Sequence, residues 1–193
     1  MGVPIVTGAI YFDDKGANNT KPTLAAAKSR SNELGIKDIV IATTSGTTAI
    51  QAAELFKEGY NIVVVTHSTG FREPNKQSLS TSNRRILEDS GAKIFTGTHA
   101  FGGIGRAVRS KFNTYEVDEI IANTLRVFSQ GVKVAIEIAI MAADAGFVST
   151  EKEVIAIGGT GRGVDSAIVI KPANVQNFFD IQILEIICKP RTP

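Results

Sequence analysis

Apolar residues in this chain fall into two patterns, short continuous runs and longer stretches at helical spacing, and the two alternate. Ile39, Val40 and Ile41, then Ile62 to Thr66, then Ala92 to Phe95 are continuous runs, as expected of strands covered on both faces of a parallel sheet. Ile5 to Phe12 reads as an extended arm or edge strand, and Asp13 to Thr20 as a turn. A helical stripe follows in Leu24, Ala27, Leu34 and Ile36, with Pro22 accepted in its first turn and Gly35 ending it near Lys37. Ala49, Ile50, Ala53, Leu55 and Phe56 predict a second helix, and Asn75 to Asp89 a third, closed by Gly91.

In the second half, Val117 to Ser129 is amphipathic, whereas Val132 to Ala145 is apolar nearly all round. A helix of the latter kind is covered by a sheet and its neighbours, or by a subunit interface in a homo-oligomer. Glu137 stands four residues after Lys133 and reads as an i,i+4 ion pair at its margin. Val154 to Ile157 and Ala167 to Ile170 predict two more strands. The nine residues between them are too few for a parallel crossover, so these two strands form an antiparallel hairpin. Ile181 to Cys188 is a last strand at or near an edge. The whole predicts a single α/β domain over residues 1–193, three layers deep, with an open, mostly parallel sheet. Right-handed crossovers then gather the exit loops of the parallel strands on one edge.

The sharpest change of polarity lies at Thr43, Thr44, Ser45, Gly46, Thr47 and Thr48, where five hydroxyls and one glycine stand between a strand and a helix. A helix N-terminus carries unpaired N–H groups and partial positive charge, so small hydroxylated residues there suit a phosphate. Ser45 or Thr47 as a plain helix cap is the competing reading, but one cap needs one hydroxyl. The turn has no Lys, and the G-x-x-x-x-G-K-[ST] pattern of P-loop nucleotidases is absent.

The run IVIATTSGTTAIQAAELFKEGYNIVVVT resembles the C-terminal α/β domain of pyruvate kinases. In some members of that family a strand, a Thr/Ser-Gly turn and a helix hold a phosphate of a sugar-bisphosphate effector. Most of the chain is similar in layout, from Lys21 to about Lys189, to a family of uncharacterised archaeal proteins in which this domain is the whole protein. Only Thr43 to Thr48 match as a motif. The resemblance implies a fold, a phosphate subsite, and the strand Lys37 to Ala42 lying beside Val154 to Ile157. It does not imply pyruvate kinase activity, because these residues contain no catalytic barrel.

Composition narrows the class. A net charge of +2 with mixed signs and no basic stripe excludes nucleic acid as an expected partner. No segment is apolar for long enough to span a bilayer, and no secretory leader is recognisable. The lone Cys188 cannot form an intramolecular disulfide and fits a cytoplasmic protein, as a small buried hydrophobe.

With the two strands adjacent, Thr43 to Thr48 face Gly159, Thr160, Gly161, Arg162 and Gly163 across a crevice at the sheet's carboxyl edge. Arg162 either supplies the charge the first turn lacks or is a solvated hairpin tip. His67 and His99 follow successive strands and serve as acid/base groups, as contacts to a planar ring, or as satisfied loop histidines. Phe71 and Phe101, on the same edge, flank an aromatic ligand or seal loops onto the core. Gly103 and Gly105 lack the third glycine of a dinucleotide fingerprint, so Gly97 to Lys111 reads as a mobile loop entering a short helix. No metal site is expected from two histidines alone. Two functions follow. One is binding or sensing of a phosphate-bearing small molecule such as flavin mononucleotide (FMN) or a sugar phosphate. The other is an enzyme, a flavoenzyme or one acting on a phosphorylated metabolite, with His67 or His99 as base.

Overall fold

A computed structural model describes residues 6–192. In chain order the elements are β1 (Ile10–Phe12), α1 (Thr20–Leu34), β2 (Asp38–Ala42), α2 (Thr47–Phe56), β3 (Asn61–Thr66), α3 (Thr81–Asp89) and β4 (Lys93–Thr96). There follow α4 (Ile104–Phe112), α5 (Val117–Leu125), α6 (Gln130–Asp144), β5 (Val154–Gly158), β6 (Ser166–Lys171) and β7 (Gln182–Pro190), with short 3₁₀ turns at Ala17–Asn19 and Val175–Asp180.

The strands form one seven-stranded sheet in the order β1-β7-β6-β5-β2-β3-β4. Every neighbouring pair is parallel except the two that involve β6. The predicted hairpin is thus β5–β6, and β2 pairs with β5, Val40 opposite Ala156. β7 lies one strand in from the β1 edge.

Side chains alternate across a strand, so the continuous apolar runs serve two cores. Ile39, Ile41, Ile155 and Ile157 face α1, α2 and α3 through Leu24, Ala49, Phe56 and Leu87. Val40, Val63, Ala156 and Ile168 face α5 and α6 through Ala122, Ala135, Ile136 and Ala139. This is a three-layer α/β/α fold, and among the described residues no helix is long and apolar enough to cross a membrane.

Several predicted boundaries move for local reasons. α1 ends at Leu34 because Gly35 takes the left-handed conformation, φ 69°, and its N–H returns to Asn32 O. α3 starts at Thr81 and not at Asn75, because Asn75 has φ 63° and Ser80 caps the helix through Asn83 N. α5 stops at Leu125, and Ser129, expected at its end, caps α6 instead through Val132 N. The amino-terminal strand covers only Ile10–Phe12, while Ile5 lies outside the described residues.

The Lys133–Glu137 pair is not marginal. Both side chains are 4% exposed, with Nζ 2.5 Å from Oε2, and Glu137 Oε1 accepts the N–H of Phe101 at 3.0 Å. Two apolar neighbours per turn do not reveal that a helix is also covered along its polar row.

Candidate functional site

The order of strands reverses between β2 and β5, since the chain runs outward through β3 and β4 and returns to β5 on the other side. Loops leaving the two strands diverge there and open a crevice. A cleft of about 1050 Å³ lies at that point, bounded by the ends of β2, β3 and β5, the start of α1 and one face of α6. That volume is at the upper end of what small-molecule sites occupy.

The turn after β2 forms one wall. Gly46 sits at the N-cap of α2 with φ 101°, and no side chain caps the helix. The first helical bond runs from Ile50 N–H to Gly46 O at 2.9 Å, so the N–H groups of Thr47, Thr48 and Ala49 have no helical acceptor. The capping role considered for Ser45 or Thr47 is therefore not filled. Thr43 Oγ1 accepts from Gly46 N at 3.1 Å, and Asn83 Nδ2 donates to Ser45 O at 2.8 Å, which hold the turn open from behind. Thr43, Thr44, Ser45, Thr47 and Thr48 line the cleft. Gly46 does not line it: a Cβ there would lie 2.7 Å from Asn83 Cβ and Leu79 Cδ1, so its free face is turned toward α3.

The opposite wall is the β5–β6 turn. Gly159, Gly161, Arg162 and Gly163 line the cleft and Thr160 does not. Val164 N donates to Thr20 Oγ1 at 3.2 Å, and Gly16 N donates to the buried Asp165 Oδ2 at 2.9 Å. These bonds dock the turn on the start of α1 and bring Lys21 to the rim.

His67 and His99 come together on the third side. Their rings are 5.4 Å apart, and Phe71 stacks on both, at 4.1 Å and 5.0 Å. The Arg106 guanidinium lies 4.8 Å from the Phe71 ring centre. Burial, reinforced by each other's charge and by Arg72 and Arg106, pushes His67 down to about 4. Burial also lowers His99, against the pull of Glu137. Both shifts favour the neutral imidazole, and His67 Nδ1 and His99 Nε2 are buried with no partner among the described residues. Phe101 is not opposite Phe71. It is 5% exposed and packs edge-on against Phe178 at 5.7 Å, on the core side of Lys133. Phe71 thus lines the cleft, stacked on the two imidazoles, whereas Phe101 does not line it and takes the other role considered for it, sealing its loop onto the core.

The floor is α6, which the sequence reading left out of the site. Gln130, Lys133 and Glu137 are spaced three and four residues apart on it, and so share the helix face that lines the cleft with Val134, Ile138 and Met141, while Arg126 reaches the lining from the residue that ends α5. Polar residues at that spacing inside an apolar helix were the available signal. Lys21, Arg72, Arg106, Arg126, Lys133 and Arg162 bring six positive groups to the lining against the single carboxylate of Glu137. Burial lowers the Lys133 ammonium despite its pairing with Glu137. The lining favours an anionic ligand.

A family model described as "Pyruvate kinase, alpha/beta domain" matches residues 21–170. Among solved structures, a pyruvate kinase from Cryptosporidium parvum is similar at 13% identity, covering 81% of this chain and 24% of its own, with a TM-score of 0.41. The Cryptosporidium parvum pyruvate kinase in complex with ADP is similar at 14% identity, covering 92% of this chain and 25% of its own, also with a TM-score of 0.41. The chain spans about a quarter of the length of the pyruvate kinases it matches.

Proposed function

The chain belongs to the pyruvate kinase alpha/beta domain family, and from that premise we propose that it binds a phosphate-bearing small molecule, its phosphate at the start of α2. The observation that carries this reading is the uncapped α2 N-terminus, where the N–H groups of Thr47, Thr48 and Ala49 and four cleft-lining hydroxyls from Thr44 to Thr48 meet a basic crevice. Arg162 and Lys21 approach from the other rim as the counter-charges that the turn itself lacks.

FMN is the first ligand to test. Its phosphate would take the turn, and its ring the wall of Val134, Ile138 and Met141 beside the His67, Phe71 and His99 stack. The unpartnered imidazole nitrogens offer one donor or acceptor each to a ring edge. This reading has the domain working in the cytoplasm, alone or as a homo-oligomer.

The alternative is an enzyme with His67 or His99 as base, and the neutral, adjacent imidazoles favour it. Against it, a group pushed down to about 4 is a weak proton acceptor at neutral pH, where a general base works best with a pKa near the working pH. Binding therefore ranks first.

An absorption spectrum of the protein as purified tests for resident flavin. Titration of the ligand-free protein with FMN and riboflavin then tests the phosphate subsite. FMN should bind tighter by on the order of tenfold or more, since a hydrogen bond to a charged group contributes about 1.5–3 kcal/mol. Equal affinities for the two would remove the subsite from the proposal.

A further inference from the structure

Beside the main cleft lies a second cavity of about 310 Å³ between α4 and α5. It is lined by Arg106, Arg109 and Arg126, with Glu119, Tyr115 and Asn123. The spacing explains the gathering. Arg106 and Arg109 are three apart on α4, and Glu119, Asn123 and Arg126 are four and three apart along α5 and its exit, so two helix faces turn their polar rows toward one another. Phe101 closes one end from the core side.

The charges in this cavity do not balance. Arg109 Nε donates to Glu119 Oε1 at 2.8 Å, and that pair is neutral. Arg126 donates only to the neutral groups Gln130 Oε1, at 2.6 Å, and Asn123 Oδ1, at 2.7 Å. Arg106 has no hydrogen-bond acceptor among the described residues and rests on the Phe71 ring. Three guanidiniums against one carboxylate leave a charge of +2 (3 − 1) in a small, partly enclosed space. Like charges converging there repel, and most of their planar N–H forks remain unspent.

We propose that this pocket is a second anion subsite, which takes a small oxyanion, a phosphate or carboxylate group, on the forks of Arg106, Arg109 and Arg126. An oxyanion relieves the repulsion and accepts paired N–H bonds in the geometry guanidinium offers. Asn123 and Tyr115 add neutral donors at the mouth. The subsite does not depend on the α2 turn, although Arg106 and Arg126 line both cavities.

Backbone amide spectra followed during titration with inorganic phosphate, and separately with acetate, resolve the two subsites. In the parent protein, phosphate should shift the Arg106 to Glu119 amides as one set and the Ser45 to Ala49 amides as another, and acetate should shift the first set if a carboxylate suffices. Thr47→Glu should silence only the second set. Asn123→Asp, near-isosteric with the parent, puts a carboxylate against Arg126 and should weaken the first set at least tenfold. If the Arg106 to Glu119 amides do not respond in the parent, respond equally in Asn123→Asp, or fall silent in Thr47→Glu, the subsite is refuted. Response of that set alone in the parent would support the subsite and refute phosphate binding at the α2 turn.

Discussion

At the end of β2 the chain enters α2 through Gly46, and at the end of β4 it enters α4 through Gly102 and Gly103. Both are glycine-bearing turns on the same edge of the sheet, yet they are built differently. Gly46 is buried, left-handed and pressed against Asn83 and Leu79, and the helix behind it buries Ala49, Ala52, Ala53 and Phe56. Gly103 has an ordinary φ of −73°, and α4 has no buried residue at all. Among the described residues, two side-chain hydrogen bonds tie the α4 wall down, Glu137 on Phe101 N and Glu119 on Arg109, beside the buried Phe101 ring and the contact of Arg106 with Phe71. One wall is thus held by the buried face of its own helix, the other by the Phe101 ring ahead of its helix and by charge. The first suits a fixed position for whatever it holds, and the second has less buried surface to hold it in place.

The largest effect expected from breaking this contrast lies at the charge that supports the α4 wall. Lys133→Met leaves Glu137 buried without its partner and should cost about 3–5 kcal/mol in a urea titration, much of it recovered in Lys133→Met/Glu137→Leu. If the single variant were as stable as the parent, the pair would not be the anchor described.

Gly46→Ala comes next. A non-glycine residue at φ 101° costs about 1–3 kcal/mol before any clash with Asn83 and Leu79 is added. The matched Gly103→Ala, at φ −73° and ψ −116°, carries no positive-φ penalty and meets a single 3.0 Å approach, to the flexible end of Thr98, so it should cost less. Equal melting shifts for the two would erase the distinction between the walls.

Thr47→Glu separates stability from binding. A carboxylate in the first turn of α2 favours the helix by about 0.3–1 kcal/mol, so the melting temperature should hold or rise while affinity for FMN or phosphate is lost. Thr47→Ala should leave stability nearly unchanged, because Thr47 does not cap the helix.

Acid should loosen the histidine side of the cleft. His67 has a folded pKa of about 4 against an ordinary 6.5, so the unfolded chain binds the extra proton first as pH falls. Stability is then full above pH 6.5 and declines between 6.5 and about 4. Denaturant midpoints at pH 7 and pH 4.5 should differ less in His67→Gln than in the parent.

The smallest change is expected on the outer surface of α4. Ile104 is 83% exposed, and Ile104→Ser should alter stability by no more than about 0.5 kcal/mol. A larger loss would mean that α4 is packed against something in solution.

What can be read along the chain and what cannot divide according to the range of the forces. The strands at Ile39 to Ile41 and Ile62 to Thr66, the β5–β6 hairpin and the strand-turn-helix at Thr43 to Thr48 were legible because they depend on side-chain period, loop length and glycine or hydroxyl chemistry within a few residues. The stop at Gly35 is local in the same sense. The floor of the cleft was not legible. Gln130, Lys133 and Glu137 reach it only because α6 packs across β2 and β5, strands more than a hundred residues apart, and Arg126 only because the exit of α5 lies against the same crevice. The burial of Lys133 with Glu137, the turning of Phe101 into the core and the convergence of three arginines between α4 and α5 have the same origin. Spacing along a helix fixes which side chains share a face, but which face is covered, and by what charge, depends on neighbours that the chain supplies from far away.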